Sequence, residues 1–573
     1  MGFLEYALAL SFQKDHLKTR IRVSPAFQKP TLTQNETMFD INLPVPIASE
    51  DGTISFLGWE FPGDSMGKAK VGRLFRASVF HLSAHTLIPV NDEKTFPSTQ
   101  KRMYVEVFSE SLVKDVCVNA YISTRHPDRL PDLAYANSLA FAKMKPVERI
   151  FNPSTRIMAA LLSKVHMGAV KGVLRPEEEN TIVPLVTRLS LLGKDILMSL
   201  NGKEVKINEV LSDVSNYIIQ AIESNGPILE APSLPFTEQH GKPTIFSQNE
   251  TPPEAEIESI FRKSLESLGG MVLPEGSADS YWRKELDAEA SQAFDTWYSQ
   301  KAREQRILEK LKQNEEWTKF KSVEFPEEDV TEYFRARTLL SGGSRRLLDS
   351  LRVAQDALDE DPGKEMGQLD LSAVIQVLAS KKPATDVFMK DEYLSKSFAW
   401  TILLDVSESM RIKSEFARAV AICIAEATKE LLMDSGSWTY FAFSDRFYVL
   451  KDASEGYSNR VRARLGGLQF GGLTLMPEAI QFAGNVLGKR FDEQRFLIVI
   501  SDGWPYGYEN IDAKLSKTIN ALQKKGVIII GVGVETDKMK DFFKLNSVIL
   551  DAKDLIKDFA RIYVNASATA LET

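Results

Sequence analysis

From Phe398 onward the chain repeats one texture. "FAWTILLDV", "WTYFAFS", "RFLIVISD" and "GVIIIGVGV" are short runs rich in β-branched and aromatic residues, apolar at odd and even positions alike. Between them lie stretches of helical periodicity: Ile412–Met433, Pro477–Leu487, Asn510–Lys525 and Asp554–Ala566. A strand that is apolar on both faces needs cover on both faces. Such strands alternating with helices give an α/β layer structure around a doubly wound, mostly parallel sheet. Sheets of this kind gather ligand groups beyond the carboxyl ends of their strands, where the strand order reverses.

Three of the strand ends carry oxygen donors. "LLDVSESM" delivers Asp405, Ser407 and Ser409 into a turn, "FGGLTLMPEA" brings Thr474 in a glycine-rich loop, and "VISDGWP" ends a strand at Asp502. Carboxylates and hydroxyls together are hard ligands, suited to Mg2+, with Mn2+ or Ca2+ as alternatives. Magnesium keeps waters in such sites, so a position remains for an outside ligand. A helix cap by Ser407 or Ser409 accounts for a serine there. It does not account for the pairing with Thr474 and Asp502.

In this combination, residues from Phe398 to Ala568 resemble a von Willebrand factor A (VWA) domain with a metal-ion-dependent adhesion site (MIDAS). The DxSxS motif falls on Asp405, Ser407 and Ser409, with the threonine loop at Thr474 and the terminal aspartate at Asp502. "RRLLDSLRVAQDALDEDPGKEMGQLDLSAVIQVLASKKPATDVFMK" and "VRARLGGLQFGGLTLMPEAI" are further similar to the NorD and CbbO proteins. The resemblance implies a Rossmann-like domain and a bound Mg2+ ion whose shell is completed by a Glu or Asp from a partner. It also implies a non-catalytic, chaperone-like adaptor that works with a MoxR-type AAA+ ATPase to mature or activate a client enzyme. Relatives of that class serve nitric oxide reductase, Rubisco and carbon monoxide dehydrogenase.

The remainder divides into a mixed β/α region at 1–135, a helical region at 136–230, and a Pro-rich linker with a charged helical arm at 231–395. "RIRVS", "YVEVFS" and "VCVNAYIS" read as strands, with one helix near Lys68–Leu87. The run Lys301–Lys321 reads as a solvated helix or a docking arm. His81 and His85 in "HLSAH" have the spacing of two zinc ligands, but the glutamate of HExxH is absent and no third ligand is evident nearby. A packed helical pair is the favoured reading, and an N-terminal metal-dependent hydrolase is the rival one.

No Gly-Lys pair completes GxxxxGK[ST], so any ATPase is another chain. "GVGVE" lacks the third glycine of a dinucleotide loop and reads as core strand plus turn. A net charge of −8 over 573 residues does not favour nucleic-acid binding. Two cysteines far apart in sequence, Cys117 and Cys423, fit a reducing cytoplasm, and Cys423 reads as buried packing. "MGFLEYALALSF" has neither the basic region nor the cleavage site of a signal peptide, and no apolar run is long enough to span a bilayer.

Overall fold

The computed structural model describes residues 2–35, 38–49, 51–88, 104–200, 207–238, 244–246, 254–272, 281–340, 342–381, 383–391, 397–432, 434–492, 494–503, 510–551 and 554–569. Part of the Pro-rich stretch at 226–256 and the end of "VISDGWP" lie outside these. The chain divides into two compact units, Met1–Gln300 and Lys301–Thr573.

The first unit opens on a short helix, Phe3–Leu10, followed by short strands. Thr19–Ser24 and Met38–Pro44 pair in parallel, and Thr31–Asn35 joins Met38–Pro44 in the antiparallel sense. Alternate residues Ile21 and Val23 are buried, the period a half-covered strand requires. A second small sheet holds Ile47–Ala48, Thr53–Phe56 and Trp59–Pro62. Helices then take over, beginning with Ser65–His85, whose Asp64 cap accepts the Gly67 N–H at 2.7 Å.

"YVEVFS" and "VCVNAYIS" are not strands. Both lie in the helix Tyr104–Arg125. The β-branched residues suggested a sheet, but Val105, Phe108, Leu112, Val116 and Ala120 recur at helical spacing and are all buried. Val113, Cys117 and Ile122 are buried as well, so apolar residues line more than one face. Such a helix is held by packing rather than by intrinsic propensity.

The second unit is built on a seven-stranded sheet. Its order is Leu545–Ile549, Val527–Val534, Gln494–Ser501, Phe398–Asp405, Trp438–Phe443, Phe447–Lys451 and Val323–Glu324. The first five strands are mutually parallel, and Phe447–Lys451 runs against Trp438–Phe443. Side-chain alternation sends Trp400, Ile402 and Leu404 to one face and Ala399 and Leu403 to the other, and both faces are covered. Val420 and Ile424 of the helix Ser414–Leu431, with Tyr333, Leu347 and Leu351 from upstream helices, cover the first. Ile480 of the helix Met476–Leu487, with Leu515 and Leu522 of the helix Ile511–Gln523, covers the second. Cys423 is buried in the first core, and both cysteines are free thiols.

The charged run Lys301–Lys321 contributes to this unit more than its composition suggests. Ile307, Leu311 and Phe320 enter the second core. Buried Glu304 lies 2.8 Å from Arg464 and 2.9 Å from Arg460. One narrow apolar edge suffices to anchor a helix whose remaining faces stay in water. "GVGVE" is the end of a core strand, where a Cβ at Gly531 would come within 2.7 Å of the Phe543 ring.

Candidate metal centre at the switch point of the sheet

The chain leaves Phe398–Asp405 for Trp438–Phe443 on one side and later returns to Gln494–Ser501 on the other. The strand order therefore reverses between Phe398–Asp405 and Gln494–Ser501, which pair from Phe398↔Gln494 to Leu404↔Ile500. That register puts Asp405 and the Ser501–Asp502 pair beside each other at the carboxyl edge. A crevice at this point is where open α/β sheets bind ligands.

Four of the five expected residues form one hydrogen-bonded chain. The Ser407 N–H donates to Asp405 Oδ1 at 2.9 Å, Ser407 Oγ lies 3.1 Å from Ser409 Oγ, and Ser409 Oγ donates to Asp502 Oδ1 at 3.2 Å. Asp405, Ser407 and Asp502 are buried, whereas Ser409 is exposed. Ser407 occupies the cap position of the single turn Glu408–Arg411 but makes no side-chain capping bond. Helix capping therefore does not account for its hydroxyl. Thr474 is buried and joins through its loop backbone: the Gly471 N–H donates to the Val406 carbonyl at 2.8 Å, and the Glu408 N–H to the Gly472 carbonyl at 3.0 Å. Gly472 makes that approach possible, with φ +90° and no room for a Cβ, which would lie 2.4 Å from Asp445 Oδ1.

Ser501 is a member that sequence reasoning missed. Its hydroxyl donates to Asp405 Oδ2 at 2.6 Å and accepts the Gly503 N–H at 3.1 Å. The signal was a hydroxyl residue immediately before the strand-ending aspartate. Burial pushes the Asp405 carboxyl up to about 6, and Asp502 adds to the rise. The hydrogen bonds from Ser407 and Ser501 oppose it. Two carboxylates drawn together out of water are a local excess of negative charge, which a cation relieves.

The donor set fits a hard divalent ion. The hydroxyl and carboxylate oxygens stand 3.1 and 3.2 Å apart. An octahedron with Mg–O bonds of about 2.1 Å has edges of about 3.0 Å.

His81 and His85 lie on one face of Ser65–His85 with their Nε2 atoms 3.1 Å apart. The acids beside them, Asp115 and Glu238, come from distant segments and gave no signal in the sequence.

With this geometry in hand, residues 401–504 match the family model of the von Willebrand factor type A domain. The fold is α/β, with a VWA domain at its C-terminal end, a strand-containing N-terminal region and a helical middle. An uncharacterized Pseudomonas aeruginosa protein, PA0525, is 29% identical over 182 residues, and the match spans 30% of each chain. Among solved structures, the manganese-loaded Plasmodium vivax TRAP protein is 17% identical over 29% of this chain and 74% of its own, with a TM-score of 0.22. The Deinococcus radiodurans RO (RSR) protein is 12% identical over 81% of this chain and 94% of its own, with a TM-score of 0.21. Among the described residues, no helix is long and apolar enough to cross a membrane.

Proposed function

We propose that this protein is a non-catalytic adaptor of the cytoplasm whose VWA domain binds other proteins through a divalent ion, Mg2+, at the switch point. VWA domains generally mediate protein–protein interaction. The observation that carries the reading is the chain Ser407–Ser409–Asp502, buried at its base and exposed at Ser409. Ser407, Ser409 and Thr474 would hold the ion directly. Asp405 already accepts from the Ser407 N–H and the Ser501 hydroxyl, so it is suited to orient Ser407 and to act through water. Asp502 is free to ligate either way. An ion held largely by neutral hydroxyls keeps its positive character and takes a Glu or Asp of the partner in its last position.

The partner that the NorD- and CbbO-like segments suggest is a MoxR-type AAA+ ATPase, which would act on a client enzyme through this adaptor. The first unit would recognise the client. Full-length protein mixed with the MoxR-type ATPase of the same genome should form a complex in Mg2+ that EDTA dissolves and that Asp405→Ala does not form. Complex formation and ATPase stimulation left unchanged by Asp405→Ala would overturn the reading.

A further inference from the structure

Outside the VWA domain, the first unit brings four metal-ligating side chains from three segments to one point. His81 and His85 come from the helix Ser65–His85, Asp115 from Tyr104–Arg125, and Glu238 from the chain that follows the helix Ile207–Glu223. His81 Nε2 lies 3.1 Å from His85 Nε2, 3.2 Å from Asp115 Oδ1 and 3.3 Å from Glu238 Oε2. His85 Nε2 lies 3.4 Å from Asp115 Oδ1 and 3.6 Å from Glu238 Oε1. These side chains are only 2 to 10% exposed. A tetrahedron with metal–nitrogen and metal–oxygen bonds of about 2.1 Å has edges of about 3.4 Å, close to the 3.1 to 3.6 Å of these five contacts, and one ligand atom from each of the four residues lies within 4.8 Å of the others.

Hydrogen bonding alone leaves this cluster poorly satisfied. One proton between the facing imidazole nitrogens serves the histidines but no acid. Both Asp115 Oδ1 and Glu238 Oε2 are buried and face His81 Nε2 at 3.2 and 3.3 Å, yet neither has a hydrogen bond of good geometry among the described residues. Orphaned buried carboxylate oxygens are costly. A divalent ion takes a lone pair from each of the four groups and cancels two carboxylate charges. Around it, His166 Nε2 lies 3.2 Å from the other Asp115 oxygen, the outer contact that fixes a ligating carboxylate.

We infer that His81, His85, Asp115 and Glu238 form a closed, structural Zn2+ site that ties two helices to the chain segment carrying Glu238. Mixed imidazole and carboxylate ligands in a tetrahedron select zinc over the magnesium preferred by an all-oxygen set. Four protein ligands leave no position for a reactive water, so the ion cross-links the helices and does no chemistry. The competing arrangement is a metal-free one in which His81 is an imidazolium. Burial disfavours that charge, but Asp115 and Glu238 outweigh it and raise the pKa to about 10.

The test is metal analysis of the full chain, carried on a tag without histidines and grown in zinc-supplemented medium. The expected result is one zinc per chain through gel filtration, falling at least about ten-fold in His85→Gln and in Asp115→Asn. Asp405→Asn should keep its zinc, which separates this site from the VWA domain's. Because a ligand variant can misfold, the wild-type chain is also stripped with chelator and refilled. Its melting temperature should fall and recover, and Co2+ in place of zinc should give the visible bands of a tetrahedral site. Substoichiometric metal with no thermal response to zinc overturns the inference, as does zinc retained in a folded His85→Gln. Stoichiometric iron or manganese in its place overturns the assignment of zinc.

Discussion

The two candidate metal sites among the described residues are built on opposite plans. At the sheet edge, hydroxyls and carboxylates stand on loops that a rigid parallel sheet delivers, and Ser409 is exposed. In the helical unit, two imidazoles and the Asp115 carboxylate are turned inward from packed helices, and Glu238 joins them from a non-helical stretch. An oxygen set on loops with one exposed hydroxyl suits an ion shared with a partner. A nitrogen-containing set enclosed by helices suits an ion kept by the fold. Position in the architecture, as much as residue type, separates a recognition site from a staple.

The largest expected effect tests whether the two plans are independent. Trp400 is buried in the core above the sheet, 5.0 Å from the Tyr563 ring and 6.0 Å from Phe496. Trp400→Ala should cost the VWA domain about 3–5 kcal/mol in denaturant unfolding. The zinc content of the first unit should be unchanged. Loss of that metal in parallel would mean that the clusters share one cooperative fold.

Asp405 gives the next largest effect, in metal-free protein. Its carboxyl is raised from 3.8 to about 6, so the folded state holds the proton more tightly than the unfolded chain. The associated stability is full below about pH 4 and is lost as pH rises through about 6. Asp405→Asn cannot ionise, so in EDTA at neutral pH it should exceed the wild type by up to about 3 kcal/mol. Added Mg2+ should raise the melting temperature of the wild type and leave that of Asp405→Asn unmoved. A wild type whose stability in EDTA does not fall between acid and neutral pH would remove the strained-carboxylate account.

Gly472→Ala should cost about 1–3 kcal/mol, since its positive φ and the nearby Asp445 oxygen both resist a side chain. It should also weaken Mg2+ binding by displacing the Thr474 loop, as isothermal titration would show. Ser409→Ala is the mildest. At this exposed position stability should change by no more than about 0.5 kcal/mol. Magnesium affinity should nevertheless drop about ten-fold. A larger stability loss than affinity loss would make Ser409 structural and narrow the contrast between the clusters.

The VWA domain was legible because its signals are local. Strand cores such as "FLIVI" are apolar throughout only if both faces are covered, and Asp405, Ser407 and Ser409 sit within one turn of one strand end. The error over Tyr104–Arg125 arose where β-branched composition and helical spacing disagreed and packing decided for the helix. Glu304, Ile307 and Leu311 hid in a charged run because one buried edge hardly alters average composition.

By itself the sequence determined the alternation of covered strands and helices, the DxSxS turn, the threonine loop and the terminal aspartate, since each is written within a few neighbouring residues. Only the tertiary structure decided that the Ser501 hydroxyl binds Asp405, that Ser407 is not spent on a helix cap, and that Asp115, Glu238 and His166 surround the His81–His85 pair. The physical reason is distance along the chain. Periodicity fixes which face a side chain occupies, whereas strand register and helix packing fix which remote side chains meet it.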